Sequence, residues 1–255
     1  MNGQTLDIER IVEPYQAKVN DQERYDRRLL MSHLCAYQLA GDLAEGRRML
    51  EVGCGSGYGA YYLSHMAREV TAIDLDAPVI AQAQQLFRRP NLRYLHQGGV
   101  PLGFPDGAFD CVGTFQVIEH IPEPRLQEFV RELSRVLVPG GVCVISTLNV
   151  EHNRKGKPGY QKAGFHEKEF TAPELHVLLS SVFPHITLQG LYPGWRYRLH
   201  RRLKRWGLQK LGTSSGNPVR RFFDEELSTK DHVLKSACTA EAIDLIAVCR
   251  TQPAA

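Results

Sequence analysis

The feature that most constrains this chain is a turn with four glycines at alternating positions, Gly53, Gly55, Gly57 and Gly59. Residues 48–52, before the turn, are mostly apolar and predict a strand, and the residues after the turn predict a helix. Glycine lets the backbone adopt positive φ angles and approach a ligand closely, and the first turn of a helix offers free amide donors. This strand-turn-helix unit therefore predicts a nucleotide site.

The pattern around the turn predicts a sheet with helices on both faces. Strand-like and helix-like segments alternate from residue 47 to residue 149, and a polar loop, a helix and two further strands follow. Such alternation is typical of a parallel sheet in an α/β fold. Ligands of these sheets bind at the carboxyl ends of the strands, where the strand order reverses. The glycine turn occupies that place if residues 48–52 form the central strand.

The cysteines and the apolar stretches indicate a reduced, cytoplasmic protein. The chain has 255 residues and six cysteines, and no two cysteines form a CxxC pair. Several of them lie in apolar stretches, which favours buried thiols over disulfides or a metal site. No apolar stretch has the length of a membrane-spanning helix or of a signal-sequence core. We therefore expect a cytoplasmic location and no metal.

Two acidic residues indicate which nucleotide fits the turn. Asp74 ends the next predicted strand, where a carboxylate can accept hydrogen bonds from both ribose hydroxyls. Glu51 lies just before the turn, where its charge would repel the pyrophosphate of a dinucleotide. A ligand with a cationic amino group and a sulfonium would be stabilised there instead. The pair therefore favours S-adenosylmethionine (SAM) over NAD.

Four motifs resemble the successive motifs of the class I SAM-dependent methyltransferases. They are LEVGCGSGYG, VTAIDLD, LGFPDGAFDCVGTFQVIEHIPEP and ELSRVLVPGGVCVIST. The resemblance is greatest to small-molecule O-methyltransferases, including those that act on sugars and lipids. It implies a Rossmann-like, doubly wound sheet of seven mostly parallel strands with an antiparallel last strand. It also implies a helical cap at residues 1–46, a methyltransferase domain at residues 47–255 and a basic insertion at residues 192–240.

The resemblance further implies that SAM is the cofactor, with S-adenosylhomocysteine as its product, and that particular residues bind it. Glu51 and the glycine turn would face the methionine part of the cofactor. Asp74 would bind the ribose hydroxyls, and Leu75 would pack on adenine. Gln116 would offer its backbone carbonyl to the amino group. Tyr37 lies in a segment that is similar to a helix that closes over the cofactor.

One position departs from the family pattern. The family usually has an aspartate next to the adenine amino group, whereas this chain has Gly99. We expect the backbone of Gly99 and Val100 to hold adenine, with weaker SAM binding as the result. The expected cofactor positions are Tyr37, Glu51, Gly53, Gly55, Gly57, Asp74, Leu75, Gly99, Val100 and Gln116.

Two histidines are candidates for removing a proton from the acceptor. Methyl transfer is an in-line displacement, so the protein has to align the nucleophile and deprotonate a hydroxyl acceptor. His120 follows the fourth predicted strand at its carboxyl end. His166 lies past the fifth strand, in a segment that resembles the substrate-covering loop of sugar-type members. Either histidine could instead only brace its loop.

Residues 195–221 contain nine lysines and arginines and no acidic residue. Tryptophans and leucines alternate with these cations, which predicts an amphipathic helix with a basic face. The helix could be packed and solvated, could meet an anionic membrane surface or a phosphorylated substrate, or could bind nucleic acid. Nucleic acid is disfavoured because the chain has no separate RNA-binding module and lacks the NPPY-type motif of base-amine methylation.

The sequence therefore predicts an enzyme that transfers a methyl group from SAM to a small molecule. The expected acceptor is a hydroxyl of a sugar, a polyketide or a lipid-linked compound. One alternative is an RNA or protein methyltransferase that uses the basic 195–221 face. Another is a SAM-binding module without turnover, because the adenine-side aspartate is missing.

Overall fold

The architecture is a mixed sheet with helices on both faces. The structure, a computed structural model, describes Ile8 and residues 27–98, 100–210 and 217–253. The strands are β1 (Arg48–Val52), β2 (Glu69–Asp74), β3 (Leu92–His96), β4 (Phe109–Phe115), β5 (Leu137–Leu148), β6 (His185–Pro193), β7 (His232–Lys235) and β8 (Asp244–Arg250). The α-helices are α1 (Arg27–Ala44), α2 (Tyr58–Leu63), α3 (Ala77–Leu86), α4 (Leu126–Arg135), α5 (Val150–Arg154), α6 (Ala172–Ser180), α7 (Trp195–Arg205) and α8 (Pro218–Arg221). Short 3-10 or π turns cover Ile118–His120, Glu123–Arg125, Leu208–Lys210, Phe222–Glu226 and Thr229–Asp231.

The strand order across the sheet is β3-β2-β1-β4-β5-β8-β6-β7. Strands β1 to β5 pair in parallel, and β8 runs antiparallel between β5 and β6. The predicted Rossmann-like, mostly parallel sheet with an antiparallel last strand is therefore confirmed. The sheet has eight strands instead of seven, because β7 pairs antiparallel with the end of β6. Strand β7 lies inside the predicted 192–240 insertion, where a four-residue strand has too weak a pattern to be recognised.

Two buried apolar clusters cover the two faces of the sheet. One contains residues of α1, α2 and α3, and the other contains residues of α4 and α6. Successive side chains of a strand point to opposite faces, so Met49 joins the first cluster and Leu50 the second. By the same alternation Glu51 points toward α1, and this direction determines its contacts.

Helix α1 packs directly on the sheet. Leu30, Met31 and Leu34 of this helix are buried in the same cluster as Met49 of β1. Residues 1–7 and 9–26 lie outside the described part of the chain, so the division into a cap at residues 1–46 and a domain at residues 47–255 stays a prediction. In the described part of the chain, no helix is both long enough and apolar enough to cross a bilayer.

Candidate functional site

A cavity of about 310 Å³ opens where the strand order reverses, at the carboxyl ends of β1, β2 and β4. This volume is at the lower end of the range for small-molecule sites. Five of the sequence-predicted cofactor residues line it, namely Gly53, Gly55, Asp74, Leu75 and Gln116. The structure therefore brings the glycine turn together with the ends of two neighbouring strands.

The glycine turn has the backbone conformation that requires glycine. Gly53 and Gly57 have φ angles of 77° and 86°, and Gly57 caps the N-terminus of α2. A Cβ atom on Gly53 would lie 2.4 Å from a methyl group of Val117, which lines the same cavity. The turn is thus packed too closely for a side chain, and its backbone forms the wall of the cavity.

Asp74 joins the glycine turn to the end of β2. Its Oδ2 accepts a hydrogen bond from the Gly55 amide at 2.8 Å, and its Oδ1 accepts one from the Asp76 amide at 3.0 Å. Each carboxylate oxygen has a second lone pair, so these bonds leave the side chain able to accept two hydroxyl donors. Asp74 can therefore hold both the turn and a ribose.

Glu51 lies beneath the turn and is fully buried. The Tyr37 hydroxyl donates a hydrogen bond to Glu51 Oε1 at 2.6 Å, and Oε2 has no partner within the described residues. Burial raises the pKa of Glu51 to about 8; the Tyr37 hydrogen bond lowers it and the nearby Asp74 charge raises it. Glu51 and Tyr37 are not among the residues that line the cavity.

Gly59 makes room for this buried pair. A Cβ atom at residue 59 would lie 2.1 Å from the ring of Tyr37. That ring also packs against Phe115 of β4, with 4.1 Å between the ring centroids. The fourth glycine of the turn thus serves the packing of Tyr37 over Glu51, a function that the glycine spacing alone does not reveal.

Gln116 has a strained backbone at the cavity wall. Its φ angle is 55°, and among the described residues other than glycine no other has a positive φ angle. Its amide donates to the Ser146 carbonyl at 2.9 Å, which anchors the turn to β5. Backbone strain of this kind persists where the surroundings enforce it, and such positions concentrate at functional sites.

The loop after β3 supplies two cavity residues that we did not predict. Gln97 and Gly98 line the cavity, and Gln97 Nε2 is a buried donor without a partner in the described part of the chain. Gly99 lies outside the described residues, and the Val100 carbonyl accepts a hydrogen bond from Arg125 Nη2 at 2.6 Å. The predicted adenine contacts of Gly99 and Val100 therefore stay a prediction. Sequence reasoning missed Gln97, although it follows directly on the carboxyl end of β3.

The two candidate histidines lie side by side. Their ring centroids are 5.1 Å apart, and His120 also lines the cavity. His166 Nδ1 is 2.8 Å from Glu169 Oε1, and the Tyr160 hydroxyl donates to the same carboxylate. Because an ionised carboxylate only accepts, Nδ1 of His166 donates to Glu169, and the neutral imidazole then bears its lone pair on Nε2. Sequence reasoning missed Tyr160.

Glu119 ties the loop of His166 to the end of β4. It is buried, its Oε2 accepts from the Thr147 hydroxyl at 2.9 Å, and burial raises its pKa. Its backbone carbonyl accepts hydrogen bonds from the amides of Glu167 and Lys168. These bonds hold the loop over the carboxyl ends of the strands.

The same region contains three side chains that could hold a metal ion. One ligand atom each of Glu119, His120 and His166 lies within 4.8 Å of the other two. The expectation that no metal is needed therefore stays a prediction, which dialysis against EDTA can test.

Comparisons with known proteins find similarity to methyltransferases. Residues 50–145 match the family model described as "Methyltransferase domain". A Mycolicibacterium smegmatis protein named "Probable S-adenosylmethionine-dependent methyltransferase" is 38% identical over 149 residues, which are 58% of this chain and 56% of that protein. A "Ubiquinone biosynthesis O-methyltransferase" of Psychrobacter cryohalolentis is 35% identical over 41% of this chain and 42% of its own length. The matches thus span less than two thirds of these curated relatives.

Solved structures share the fold. A SAM-dependent methyltransferase from Archaeoglobus fulgidus has a TM-score of 0.60 at 16% identity and covers 93% of this chain and 100% of its own. The cyclase SpnF has a TM-score of 0.57 at 19% identity, with coverage of 97% and 95%. At these identities the comparison establishes the fold, and one of the two proteins that share it is named as a cyclase.

Proposed function

We propose that this chain, which carries a class I SAM-dependent methyltransferase domain, transfers a methyl group from SAM to a hydroxyl of a small molecule. The observation that carries the proposal is the pair of His166 and Glu169 beside His120, at the rim of the cofactor cavity. A sugar, a polyketide or a lipid-linked compound is the acceptor class that the resemblance favours. The location that we propose for this reaction is the cytoplasm.

Residues at and beneath the cavity fit SAM. The buried Oε2 of Glu51, beneath the glycine turn, lacks a partner among the described residues, and a buried carboxylate oxygen is stabilised by a cationic donor such as an ammonium group. Asp74 has lone pairs for the ribose hydroxyls, and the unpaired Nε2 of Gln97 can donate to adenine. When bound, SAM supplies a methyl group that its sulfonium already activates.

His166 is proposed to accept the proton of the acceptor hydroxyl. Glu169 holds Nδ1–H, so the lone pair of Nε2 is available, and the carboxylate stabilises the imidazolium that forms. The Nδ1 atom of His120 contacts the carbonyl of Phe165 at 3.0 Å, which orients that ring beside the cavity. His120 is proposed to position the acceptor between the base and the cofactor.

The proposal is tested by calorimetry with SAM and S-adenosylhomocysteine and by a methyl-transfer assay over a panel of hydroxyl acceptors. We expect both compounds to bind and at least one acceptor to be methylated, with no loss of activity after dialysis against EDTA. If neither compound binds, the proposal fails. Binding without any turnover would favour a SAM-binding module. Activity that EDTA abolishes and a divalent metal restores would reassign Glu119, His120 and His166 to metal binding.

Asp74→Ala should weaken SAM binding by about 1 kcal/mol or more, because charge-assisted hydrogen bonds to the ribose are lost. The measurement is calorimetry with SAM. Asp76→Ala is the control, since it removes the cap that accepts from the Val79 amide in the first turn of α3 and leaves the ribose acceptor in place. It should leave the affinity nearly unchanged. An Asp74→Ala protein with wild-type affinity would show that the ribose is held elsewhere.

A further inference from the structure

A second cavity, a cationic groove, lies between α5 and α7. Its volume is about 610 Å³, twice that of the cofactor cavity. Six cationic side chains line it, and its other lining residues are His152, Asn153 and Glu241. The six cations are Lys155, Lys157, Arg198, Arg201, Arg202 and Arg205.

The positive charge of the groove is poorly compensated. Glu241, the one acid among the described residues that line the groove, forms an ion pair with Lys155. Arg201, Arg202 and Arg205 form no ion pair with a carboxylate of the described residues. Arg196, on another side of the same helix, does pair with Asp231 at 3.4 Å. Like charges gathered in one concavity repel each other and attract an anion.

His152 gives a second, independent sign that the groove binds a ligand. Its Nδ1 atom is buried and has no hydrogen-bond partner in the described part of the chain. Burial lowers the pKa of His152, a backbone hydrogen bond to Ala240 raises it, and the charges of Arg201 and Lys155 lower it. The Nδ1 atom can donate to or accept from a bound group, depending on the tautomer.

The position of the groove relates it to the proposed reaction. Helix α5 begins two residues after the carboxyl end of β5, at the edge of the sheet where the cofactor cavity opens. From Lys155 and Lys157 the chain continues through Tyr160 to His166. The groove and the proposed base are therefore joined by one short loop.

We propose that the groove binds a phosphate or diphosphate group carried by the acceptor. This inference rests on the proposed function and narrows its substrate class to phosphorylated compounds. Arginine forks bind phosphate oxygens in pairs, and several arginines around one concavity match a group with more than one negative charge. An RNA strand would instead need cations spread along an extended face.

The outer side of α7 indicates which sources of phosphate to test. Trp195 and Leu199 are 69% and 46% exposed, and Trp206, directly after the helix, is 74% exposed. Exposed tryptophan and leucine beside a basic surface suit the interface of an anionic bilayer. The phosphate can thus belong to a soluble compound or to a lipid headgroup, and the two sources need separate probes.

The test uses the full chain and its own tryptophans, because the chain has two and they lie at the two ends of α7. Pyrophosphate is titrated first, followed by vesicles of phosphatidylcholine with and without phosphatidylglycerol. The double variant Arg201→Gln/Arg205→Gln should lose at least about tenfold in affinity for pyrophosphate. The control, Arg47→Gln/Arg131→Gln, changes the net charge equally at exposed positions on other elements and should bind like the wild type.

The following outcomes support or overturn the proposal. Saturable pyrophosphate binding that needs Arg201 and Arg205 supports it, and a blue shift with phosphatidylglycerol vesicles that also needs them assigns the phosphate to a lipid. No pyrophosphate binding, equal loss in the control, or binding of an RNA oligonucleotide alone overturns it. Circular dichroism and SAM calorimetry on the groove variant should match the wild type, which shows that the variant folds. Pyrophosphate binding in a protein that fails to bind SAM would retain the phosphate site and reject the proposed function.

Discussion

His166→Ala should lower kcat by about 10²- to 10⁴-fold, the usual contribution of a positioned general base, while the affinity for SAM stays unchanged. The physical reason is that Glu169 contacts Nδ1 of His166, which leaves the lone pair on Nε2 available to accept the proton of the acceptor hydroxyl. Steady-state kinetics with a methylated acceptor gives kcat, and calorimetry gives the SAM affinity.

Two further variants make this result specific. Glu169→Gln should lower kcat less than His166→Ala does, because the carboxylate no longer stabilises the imidazolium that forms, and it should leave the affinity for SAM unchanged. His185→Ala, at an exposed position at the start of β6, should behave like the wild type. Normal turnover in His166→Ala would remove this residue from the chemistry.

The part of the site that could be predicted from the sequence is the part that neighbouring strands bring together. Gly53 and Asp74 each follow or end a strand of the parallel sheet, and the carboxyl ends of such strands meet at one edge. The apolar pattern locates these strands, so the positions of the turn and the acid follow from local sequence. Leu75 and Gln116 line the same cavity for the same reason.

Contacts between distant segments could not be predicted in this way. The Tyr37 hydroxyl reaches Glu51 because α1 packs on the face to which Glu51 points, and no local pattern specifies that docking. The sequence indicated that Glu51 would face the cofactor. That role stays a prediction: Glu51 is buried beneath the turn, with one oxygen paired to Tyr37 and the other without a partner among the described residues.

The cationic groove also depends on segments that are distant in the sequence and lie side by side in the fold. The basic segment could be recognised from the absence of acids in residues 195–221, and its helix has the predicted amphipathic character. Its partners Lys155 and Lys157 belong to the polar loop after β5, which has no pattern that would predict a contact with α7. The short strand β7 escaped prediction for a related reason, since it is defined by its pairing with β6.

Binding of SAM should release a proton from Glu51 at neutral pH. In the unliganded protein the pKa of Glu51 is raised to about 8, chiefly by burial, so the group is mostly protonated at about pH 7. An ammonium group next to the carboxylate favours the charged form and lowers this pKa. The affinity for SAM should therefore rise as the pH increases from about 6 toward about 8, where the amino group of SAM itself begins to lose its proton. Calorimetry in buffers of different ionisation enthalpy measures the released proton.

Glu51→Gln should abolish the proton release and reduce the SAM affinity by about 10- to 100-fold, because a hydrogen bond to a charged group is lost.

The same variant should change the stability of the unliganded protein. A folded-state pKa above the unfolded value makes the wild type less stable as the pH rises from about 4.5 to about 8, and the glutamine variant should lack this loss. Denaturant unfolding at several pH values measures it. Glu45→Gln, at an exposed position just after α1, is the control and should retain both pH dependences. A pH-independent affinity in the wild type would show that Glu51 does not meet the amino group, and the selection of SAM by this carboxylate would be wrong.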